Sequence, residues 1–276
     1  MASFSAFSAR RPLVLVGAGK MGSALLKGWL ARGLKPKAAL VIDPAPPPDS
    51  VAFLAEAKIA AHAAPPAGVR AGLIVVAVKP QIIGDVLPAL RSLVGPDTIV
   101  LSVAAGTTLK NLKSGLGDCA IVRTIPNTPA QVGRGVTVAI GNDRVDAAAR
   151  ALVTGLLESV GAVIWVEKEA LIDSATAVSG SGPAYVFHMV EALAAAAVAV
   201  GFDREAAEKL ARATVEGAGE LLYRSDLSAT TLRENVTSPK GTTAAALKVL
   251  MARGGLTPLM KKAVAAARKR SRELAK

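Results

Sequence analysis

The sequence predicts an α/β fold, with a doubly wound sheet in the first part of the chain and helices alone in the second. Two observations predict it. Short apolar runs alternate with helical patterns up to about residue 166, which is typical of parallel strands joined by helices. Beyond residue 167 no further strand pattern occurs. We therefore expect two domains of ordinary size, residues 1–166 and residues 167–276.

The predicted strands are continuous apolar runs, the pattern of parallel strands that are buried on both faces of a sheet. They lie at residues 13–17, 39–42, 73–78, 98–103, 120–123, 136–140 and 162–166. Helical patterns between several of them cover residues 20–32, 51–57, 82–93 and 145–160. In the second domain, helical patterns cover residues 169–200, 203–223, 229–235, 242–253 and 256–274.

The composition excludes a mainly disordered chain, because 51% of the 276 residues are hydrophobic and their burial offsets the entropy lost on folding. The formal net charge of +12 suits nucleic acid, an acidic membrane or small anionic ligands. We expect no nucleic acid, since no recognition module or stacking aromatics accompany the charge. The densest basic stretch instead suits a helix end and consists of Lys261, Lys262, Arg268, Lys269, Arg270, Arg272 and Lys276.

Signals for a membrane or for export are weak. The most apolar window, residues 192–201, is about half of a membrane span and is preceded by Glu191 and His188. We therefore expect a buried helix and no membrane partner. Residues 1–12 are too short for a usual transit peptide. The single cysteine, Cys119, excludes an internal disulfide and a multi-cysteine metal site, so we expect a cytoplasmic protein without a metal.

A GxGxxG motif at residues 17–22 follows the first predicted strand and opens the first predicted helix, as a dinucleotide-binding loop requires. Gly17 allows the tight turn, Gly19 lets the backbone approach a pyrophosphate, and Gly22 permits close packing of helix on strand. The helix N terminus then offers N–H groups to the phosphates. An ordinary glycine-rich turn is the alternative. The motif predicts a Rossmann-type dinucleotide-binding domain.

Asp43 directly follows the second predicted strand, 21 positions beyond Gly22. A carboxylate there accepts a hydrogen bond from a ribose 2′-hydroxyl and repels a 2′-phosphate. No Arg or Lys follows until Lys58. Both observations favour NADH slightly over NADPH. The alternative is an Asp that only forms the turn before Pro44.

Five further segments extend the pattern over nearly the whole chain. They are AVKPQ at residues 77–81, SVAAG at 102–106, RTIPNTPA at 123–130, SGSGPAY at 179–185 and NVTSPKGTT at 235–243. In this order and spacing the chain resembles the pyrroline-5-carboxylate reductase family. The resemblance implies NAD(P)H-dependent reduction of the cyclic imine 1-pyrroline-5-carboxylate to L-proline, the last step of proline biosynthesis. It also implies an all-α dimerisation domain that builds a homodimer, which this family often assembles into rings, with partner helices completing each active site.

The resemblance assigns residues to the cofactor and to the substrate. The implied cofactor contacts are Val16, Gly17, Ala18, Gly19, Lys20, Met21, Gly22, Asp43, Pro44, Ala77, Val78, Lys79, Pro80, Val103, Ala104 and Ala105. The implied substrate contacts are Glu169, Thr176, Asn235, Val236, Thr237, Gly241 and Thr242. Thr243, which would hydrogen-bond the imine nitrogen, and Ser238 are the implied catalytic residues. The alternatives are helix capping by the Ser and Thr hydroxyls and an exposed first-turn position for Glu169.

No acid–base cluster occurs in the sequence, which suits an imine that arrives protonated from solvent. His62 and His188 are expected to be non-catalytic. The chain departs from the family at Ile125, where Met is usual, and at Lys240, where Gly is usual. If the loop at Lys240 needs a positive φ, lysine is strained there. One alternative function is reduction of a piperideine carboxylate. A second is that of a β-hydroxyacid dehydrogenase, but the lysine-plus-asparagine helix motif of those enzymes is missing here. A third is that of a non-catalytic dinucleotide-binding or nucleic-acid-binding protein.

Overall fold

A computed structural model describes residues 4–274 of the chain. The strands are β1 (Leu13–Val16), β2 (Ala39–Ile42), β3 (Ala61–His62), β4 (Leu73–Val76), β5 (Ile99–Ser102), β6 (Ala120–Ile125), β7 (Gly135–Gly141) and β8 (Gly161–Trp165). The α-helices are α1 (Lys20–Ala31), α2 (Pro48–Glu56), α3 (Ile83–Leu90), α4 (Leu109–Leu116), α5 (Ala147–Leu157), α6 (Ala170–Ala175), α7 (Gly182–Ala199), α8 (Arg204–Arg224), α9 (Ala229–Asn235), α10 (Thr242–Leu250) and α11 (Leu256–Leu274).

The chain divides into two compact units. The first comprises the described residues up to Gly180 together with those from Arg268 onward, and the second comprises Ser181–Ala267. Part of α11 therefore belongs to the first unit, in which the Ser271 hydroxyl donates to Asp173 of α6 at 3.0 Å.

All strands lie in one sheet, in the order β3-β2-β1-β4-β5-β6-β7-β8. Starting from β1, the chain adds strands first on one side and then on the other, which is the doubly wound arrangement. Every neighbouring pair is parallel except β6 and β7. The predicted fold class, a Rossmann-type sheet followed by helices, is confirmed.

The core lies on both faces of this sheet. On one face Leu13 of β1 belongs to a cluster with Leu25 of α1 and Leu54 of α2. On the other face the next residue, Val14, belongs to a cluster with Leu87 of α3. Successive side chains of a strand point to opposite faces, so a strand covered on both sides must be apolar throughout. This explains the continuous apolar runs.

The antiparallel pairing of β6 and β7 differs from the predicted parallel sheet. A parallel return requires a crossover of a dozen or more residues, but β6 ends at Ile125 and β7 begins at Gly135. The connection contains only a short 3-10 helix, Thr128–Val132. The chain therefore turns back directly and adds β7 in the opposite direction.

One strand and one α-helix were not predicted, because β3 is very short and α4 leaves only a weak hydrophobic pattern. β3 is a pair of exposed residues at the edge of the sheet. α4 is mostly polar and buries only Leu112 and Leu116. Its N terminus is capped by Thr108, whose hydroxyl accepts from the Asn111 amide at 3.2 Å. Two buried leucines four residues apart give too weak a pattern to predict a helix from sequence.

The second unit buries little within the single chain. α7 packs against α8, but no residue of α7 is buried, so the predicted buried helix at residues 192–201 is wrong for an isolated chain. By length and composition alone, Ala170–Ala199 could cross a membrane. Exposed large apolar side chains of this unit include Val186, Phe187, Met189, Leu193, Val198, Val200, Phe202, Leu210, Leu221, Leu222, Val249, Leu250 and Met251. A surface this apolar is typical of an interface.

Candidate functional site

The candidate cofactor residues of the first unit lie together at the carboxyl edge of the sheet. The Gly17 amide donates to the Ile42 carbonyl at 2.9 Å, and the Ala77 amide donates to the Val16 carbonyl at 2.8 Å. The Val103 amide donates to the Val76 carbonyl at 3.0 Å. The segments that follow β1, β2, β4 and β5 are therefore adjacent. In open α/β sheets this edge is where ligands bind.

The three glycines of the loop have different surroundings. Gly17 has φ +93°, and a Cβ there would lie 2.7 Å from the Ala77 carbonyl oxygen. A Cβ on Gly22 would overlap the Gly17 carbonyl oxygen. By contrast, a Cβ on Gly19 would have no protein atom within 4 Å. Gly17 and Gly22 are thus required by the fold of the loop, whereas nothing in the protein requires Gly19.

The N terminus of α1 fits the pyrophosphate of a dinucleotide. Gly19 is its N-cap, no side chain caps the helix, and its first turn contains no acidic residue. The open space at Gly19 would let a phosphate approach the backbone. Free N–H groups and the positive end of the helix dipole favour an anion at such a position. Lys20, which is exposed, and Met21, which is half-buried, begin the helix.

Asp43 both forms a turn and contacts the glycine loop. Its Oδ1 accepts from the Ala45 amide at 3.0 Å. This hydrogen bond closes a turn around Pro44, which is exposed. Its Oδ2 accepts from the Ala18 amide at 2.7 Å. A carboxylate has about four acceptor positions, so both oxygens keep capacity for a ribose hydroxyl.

The remaining candidate cofactor residues line the same edge with graded exposure. Ala77 and Val78 are half-buried, while Lys79 and Pro80 are exposed at the start of a 3-10 helix. After β5, Val103 and Ala104 are buried, and Ala105 is exposed.

Glu169 is held inside the first unit by two partners. Its Oε1 accepts from Arg123 Nη1 at 2.6 Å and from the Leu109 amide at 2.8 Å. Arg123 is only 4% exposed, so its charge needs such a partner. This contact joins β6 to the starts of α4 and α6. Sequence reasoning missed it, although an arginine inside a buried strand could have indicated a nearby carboxylate.

The segment after α6 continues as a π-helical turn, Thr176–Gly180. The Thr176 hydroxyl donates to the Ile172 carbonyl at 2.9 Å. Asn127, beyond the end of β6, donates through Nδ2 to the Ser179 carbonyl at 3.1 Å and accepts from the Val136 amide at 2.9 Å. Asn127 therefore fixes this turn against the sheet.

The other candidate residues lie within the second unit, at residues 235–243. α9 ends at Asn235, Val236 is exposed, and the Thr237 hydroxyl donates to the Arg233 carbonyl at 2.6 Å. The Gly241 amide donates to the Ser238 carbonyl at 3.1 Å. α10 then begins at Thr242.

The structure contradicts helix capping as the role of the hydroxyls before α10. Its N-cap is Gly241, and no side chain caps it. The hydroxyl of Ser238 and those of Thr242 and Thr243 in the first turn therefore do not cap this helix. As at α1, the uncapped N–H groups suit an anion. In the part of the chain that the structure describes, no three His, Cys, Asp or Glu residues are grouped to hold a metal ion.

Lys240 has φ +62°, so the loop does require a positive φ. Left-handed backbone costs an L-residue about 1–2 kcal/mol, and glycine avoids this cost. We expect Lys240→Gly to raise the free energy of unfolding by about 1 kcal/mol. Urea denaturation at fixed protein concentration would measure it.

Lys240→Ala is the matched control, because it removes the same cation but keeps a Cβ. It should give no comparable gain. Equal stabilisation by both variants would attribute the effect to the charge and contradict the backbone argument.

Comparisons with known proteins agree with this geometry. Residues 169–274 match the family model for pyrroline-5-carboxylate reductase dimerisation, and residues 12–106 match the model for coenzyme F420-dependent NADP oxidoreductase. The pyrroline-5-carboxylate reductase of Pseudomonas aeruginosa is 36% identical, over 95% of this chain and 96% of the relative. That of Pisum sativum is 39% identical, over 95% of each.

Solved structures are similar as well. The pyrroline-5-carboxylate reductase of Coxiella burnetii gives a TM-score of 0.88 at 35% identity, covering 97% of this chain and 99% of that chain. The pyrroline carboxylate reductase of Plasmodium falciparum, solved with NADP bound, gives 0.77 at 28% identity, covering 98% and 100%. This chain therefore belongs to the pyrroline-5-carboxylate reductase family.

Proposed function

We propose that this protein reduces 1-pyrroline-5-carboxylate to L-proline with NAD(P)H, as the last step of proline biosynthesis. Family membership carries the proposal, because the similarity spans both the glycine loop and the 235–243 segment. The dinucleotide supplies the hydride when it is bound. The protein has to hold two anionic molecules and orient them, which suits its net charge of +12.

On the cofactor side, the first turn of α1 would hold the pyrophosphate, with Gly19 providing the space. Asp43 would accept a hydrogen bond from the ribose of the adenosine. Ala77, Val78, Lys79 and Pro80 would lie over that ribose region. The small residues Val103, Ala104 and Ala105 would leave room at the nicotinamide end.

On the substrate side, the N–H groups at the start of α10 would hold the carboxylate, and Thr243 would orient the ring nitrogen. Ser238, Asn235 and Val236 would line the pocket. A pyrroline nitrogen protonated by solvent makes its carbon a good hydride acceptor. Positioning can then suffice, without a strong acid from the protein.

The dimerisation model covers residues 169–274, and it supports a homodimer. We propose that the partner subunit, rather than lipid, covers the exposed apolar side chains of α7 and α8, in a cytoplasmic enzyme. A solution mass above that of two 28.0-kDa chains would support the ring of dimers found in this family.

Cys119 is free and buried, and burial raises the pKa of its thiol.

The proposal is tested by oxidation of NADH and of NADPH, in separate assays, with 1-pyrroline-5-carboxylate at neutral pH. Turnover with either dinucleotide supports it. Turnover only with the six-membered piperideine carboxylate would reassign the substrate. Dinucleotide binding without turnover of either imine would favour a non-catalytic protein.

We further propose that Asp43 gives NADH the advantage in this chain, although the Plasmodium falciparum relative was solved with NADP. Its carboxylate is held by the Ala18 and Ala45 amides, beside the position proposed for the ribose. A 2′-phosphate there would be repelled. Asp43→Ser should therefore raise kcat/KM for NADPH relative to NADH by about tenfold, equivalent to about 1.4 kcal/mol.

Asp49→Ser is the matched control, because Asp49 is an exposed acid in the first turn of α2. It should leave the ratio of the two kcat/KM values unchanged. If Asp43→Ser also leaves that ratio unchanged, Asp43 does not select the cofactor.

A further inference from the structure

Two buried serines contact the backbone of the glycine loop. The Ser23 hydroxyl of α1 lies 2.9 Å from the Ala18 carbonyl oxygen, and the Ser50 hydroxyl of α2 lies 2.6 Å from it. The two hydroxyl oxygens are 2.9 Å apart. Ser23 is 9% exposed and Ser50 is 5% exposed, so water has little access to any of these groups.

The two serine hydroxyls cannot form hydrogen bonds at all three of these contacts at once. Each hydroxyl carries one hydrogen, so two hydrogens serve three contacts. Either both serines donate to the Ala18 carbonyl, or one donates to it and the other donates to its neighbour. In each arrangement the carbonyl keeps at least one hydrogen bond. The serines can therefore replace one another as donors to this oxygen.

The Ala18 carbonyl belongs to the same peptide as the Gly19 amide. Peptides are planar, and in a trans peptide the C=O and N–H groups point in opposite directions. No cis peptide occurs in the part of the chain that we describe. Holding the carbonyl towards the serines consequently turns the Gly19 N–H away from them. That N–H is one of the donors at the uncapped start of α1.

The preceding peptide is held as well, because Asp43 accepts from the Ala18 amide at 2.7 Å. Three side chains from different parts of the fold thus fix two consecutive peptides of the loop. They are Asp43 after β2, Ser23 in the first turn of α1 and Ser50 at the start of α2. Ser50 lies outside every motif recognised in the sequence, and only the fold brings it to the loop.

We propose that Ser23 and Ser50 are redundant positioning residues, which orient the Ala18–Gly19 peptide so that its N–H faces the cofactor pyrophosphate. This inference rests on the proposed function, since it requires a dinucleotide at the loop. Removal of one hydroxyl leaves the other to hold the carbonyl, whereas removal of both leaves a buried carbonyl without a partner. The peptide can then rotate, and the donor to the pyrophosphate is lost.

The test compares Ser23→Ala, Ser50→Ala and the double variant in the full-length protein. NADH affinity is measured by fluorescence titration, and steady-state constants are measured alongside. Each single variant should weaken NADH binding less than about threefold, and the double variant by about tenfold or more, which exceeds the product of the singles. At saturating NADH, kcat and the KM for the imine should stay within about twofold.

Thr98→Val is the matched control. The Thr98 hydroxyl is buried and donates to the Ala71 carbonyl at 2.6 Å, but it precedes β5 and so lies at the amino edge of the sheet, opposite the loop. This variant should lower the melting temperature and leave NADH affinity unchanged. If the double variant does not fold, Ser23→Ala with Ser50→Cys replaces it, because a thiol is a weak donor. It should bind NADH more weakly than Ser23→Ala alone.

Two results would overturn the inference: a double variant whose loss of affinity is no greater than the product of the singles, or one in which kcat falls as much as NADH affinity. Failure of the proposed function is a different result, because the unsubstituted protein would then bind NADH and NADPH without turnover of either imine. The affinity comparison still applies in that case.

Discussion

Replacement of Thr243 by alanine should lower kcat/KM for the imine by roughly 10–1000-fold, the effect of losing one or two positioned hydrogen bonds. Thr243 lies in the first turn of α10, whose N-cap is Gly241, and its hydroxyl is the group that we propose hydrogen-bonds the ring nitrogen. Because the residue lies on the proposed substrate side, NADH affinity should not change. Steady-state kinetics with saturating NADH would measure the loss.

Thr243→Ser is the conservative variant, because it keeps the hydroxyl and removes only a methyl group. It should retain activity within about tenfold of the unsubstituted enzyme. Full activity of Thr243→Ala would remove Thr243 from the site. Equal losses in the Ser and Ala variants would assign its importance to packing of the methyl group.

Gly19→Ala should strongly weaken dinucleotide binding without destabilising the protein. The added Cβ meets no protein atom within 4 Å, and Gly19 has φ −70°, which alanine adopts freely. The methyl group would instead occupy the space proposed for the pyrophosphate. We expect NADH affinity to fall on the order of 100-fold, with an unchanged melting temperature.

Gly22→Ala should behave in the opposite way, because its Cβ would overlap the Gly17 carbonyl oxygen. The loop or α1 must then shift, and the free energy of unfolding should fall by about 2 kcal/mol or more.

Gly84→Ala is the control for Gly19→Ala, since Gly84 also has open space at its Cβ position but lies in α3. Normal NADH binding by Gly19→Ala would contradict the position proposed for the pyrophosphate.

The hydrophobic pattern of the sequence predicts most of the fold. Strands covered on both faces leave continuous apolar runs, and these located all of the longer strands. Direction is not encoded in this way, because an antiparallel strand buried on both faces has the same composition as a parallel one. The reversal at β7 follows from the short connection after Ile125.

The candidate site was predictable only where a motif combines chemistry with spacing. The glycine loop and Asp43 are of this kind. The contacts of Glu169 with Arg123 and Leu109 join residues far apart in sequence, and no local pattern announces them. At Lys240 the sequence predicted only a conditional strain, because the family usually has Gly at this position. The structure shows that the backbone there does have a positive φ.

The apolar helix α7 shows another limit of sequence reasoning. Its composition predicts burial, yet burial requires atoms that a single chain does not supply. A pattern of hydrophobicity indicates that a surface will be covered, but it does not say whether the cover comes from the same chain.

The return of α11 to the first unit has a consequence for biosynthesis. Asp173 and Ser271 are separated by 98 positions along the chain, and the residues from Arg268 onward belong to the first unit. The ribosome must therefore make the whole of the second unit before the first can be completed. Domains usually fold one after another as they emerge from the ribosome. Here the first unit cannot be completed until the second has been synthesised, so its completion is a late, non-local step of folding.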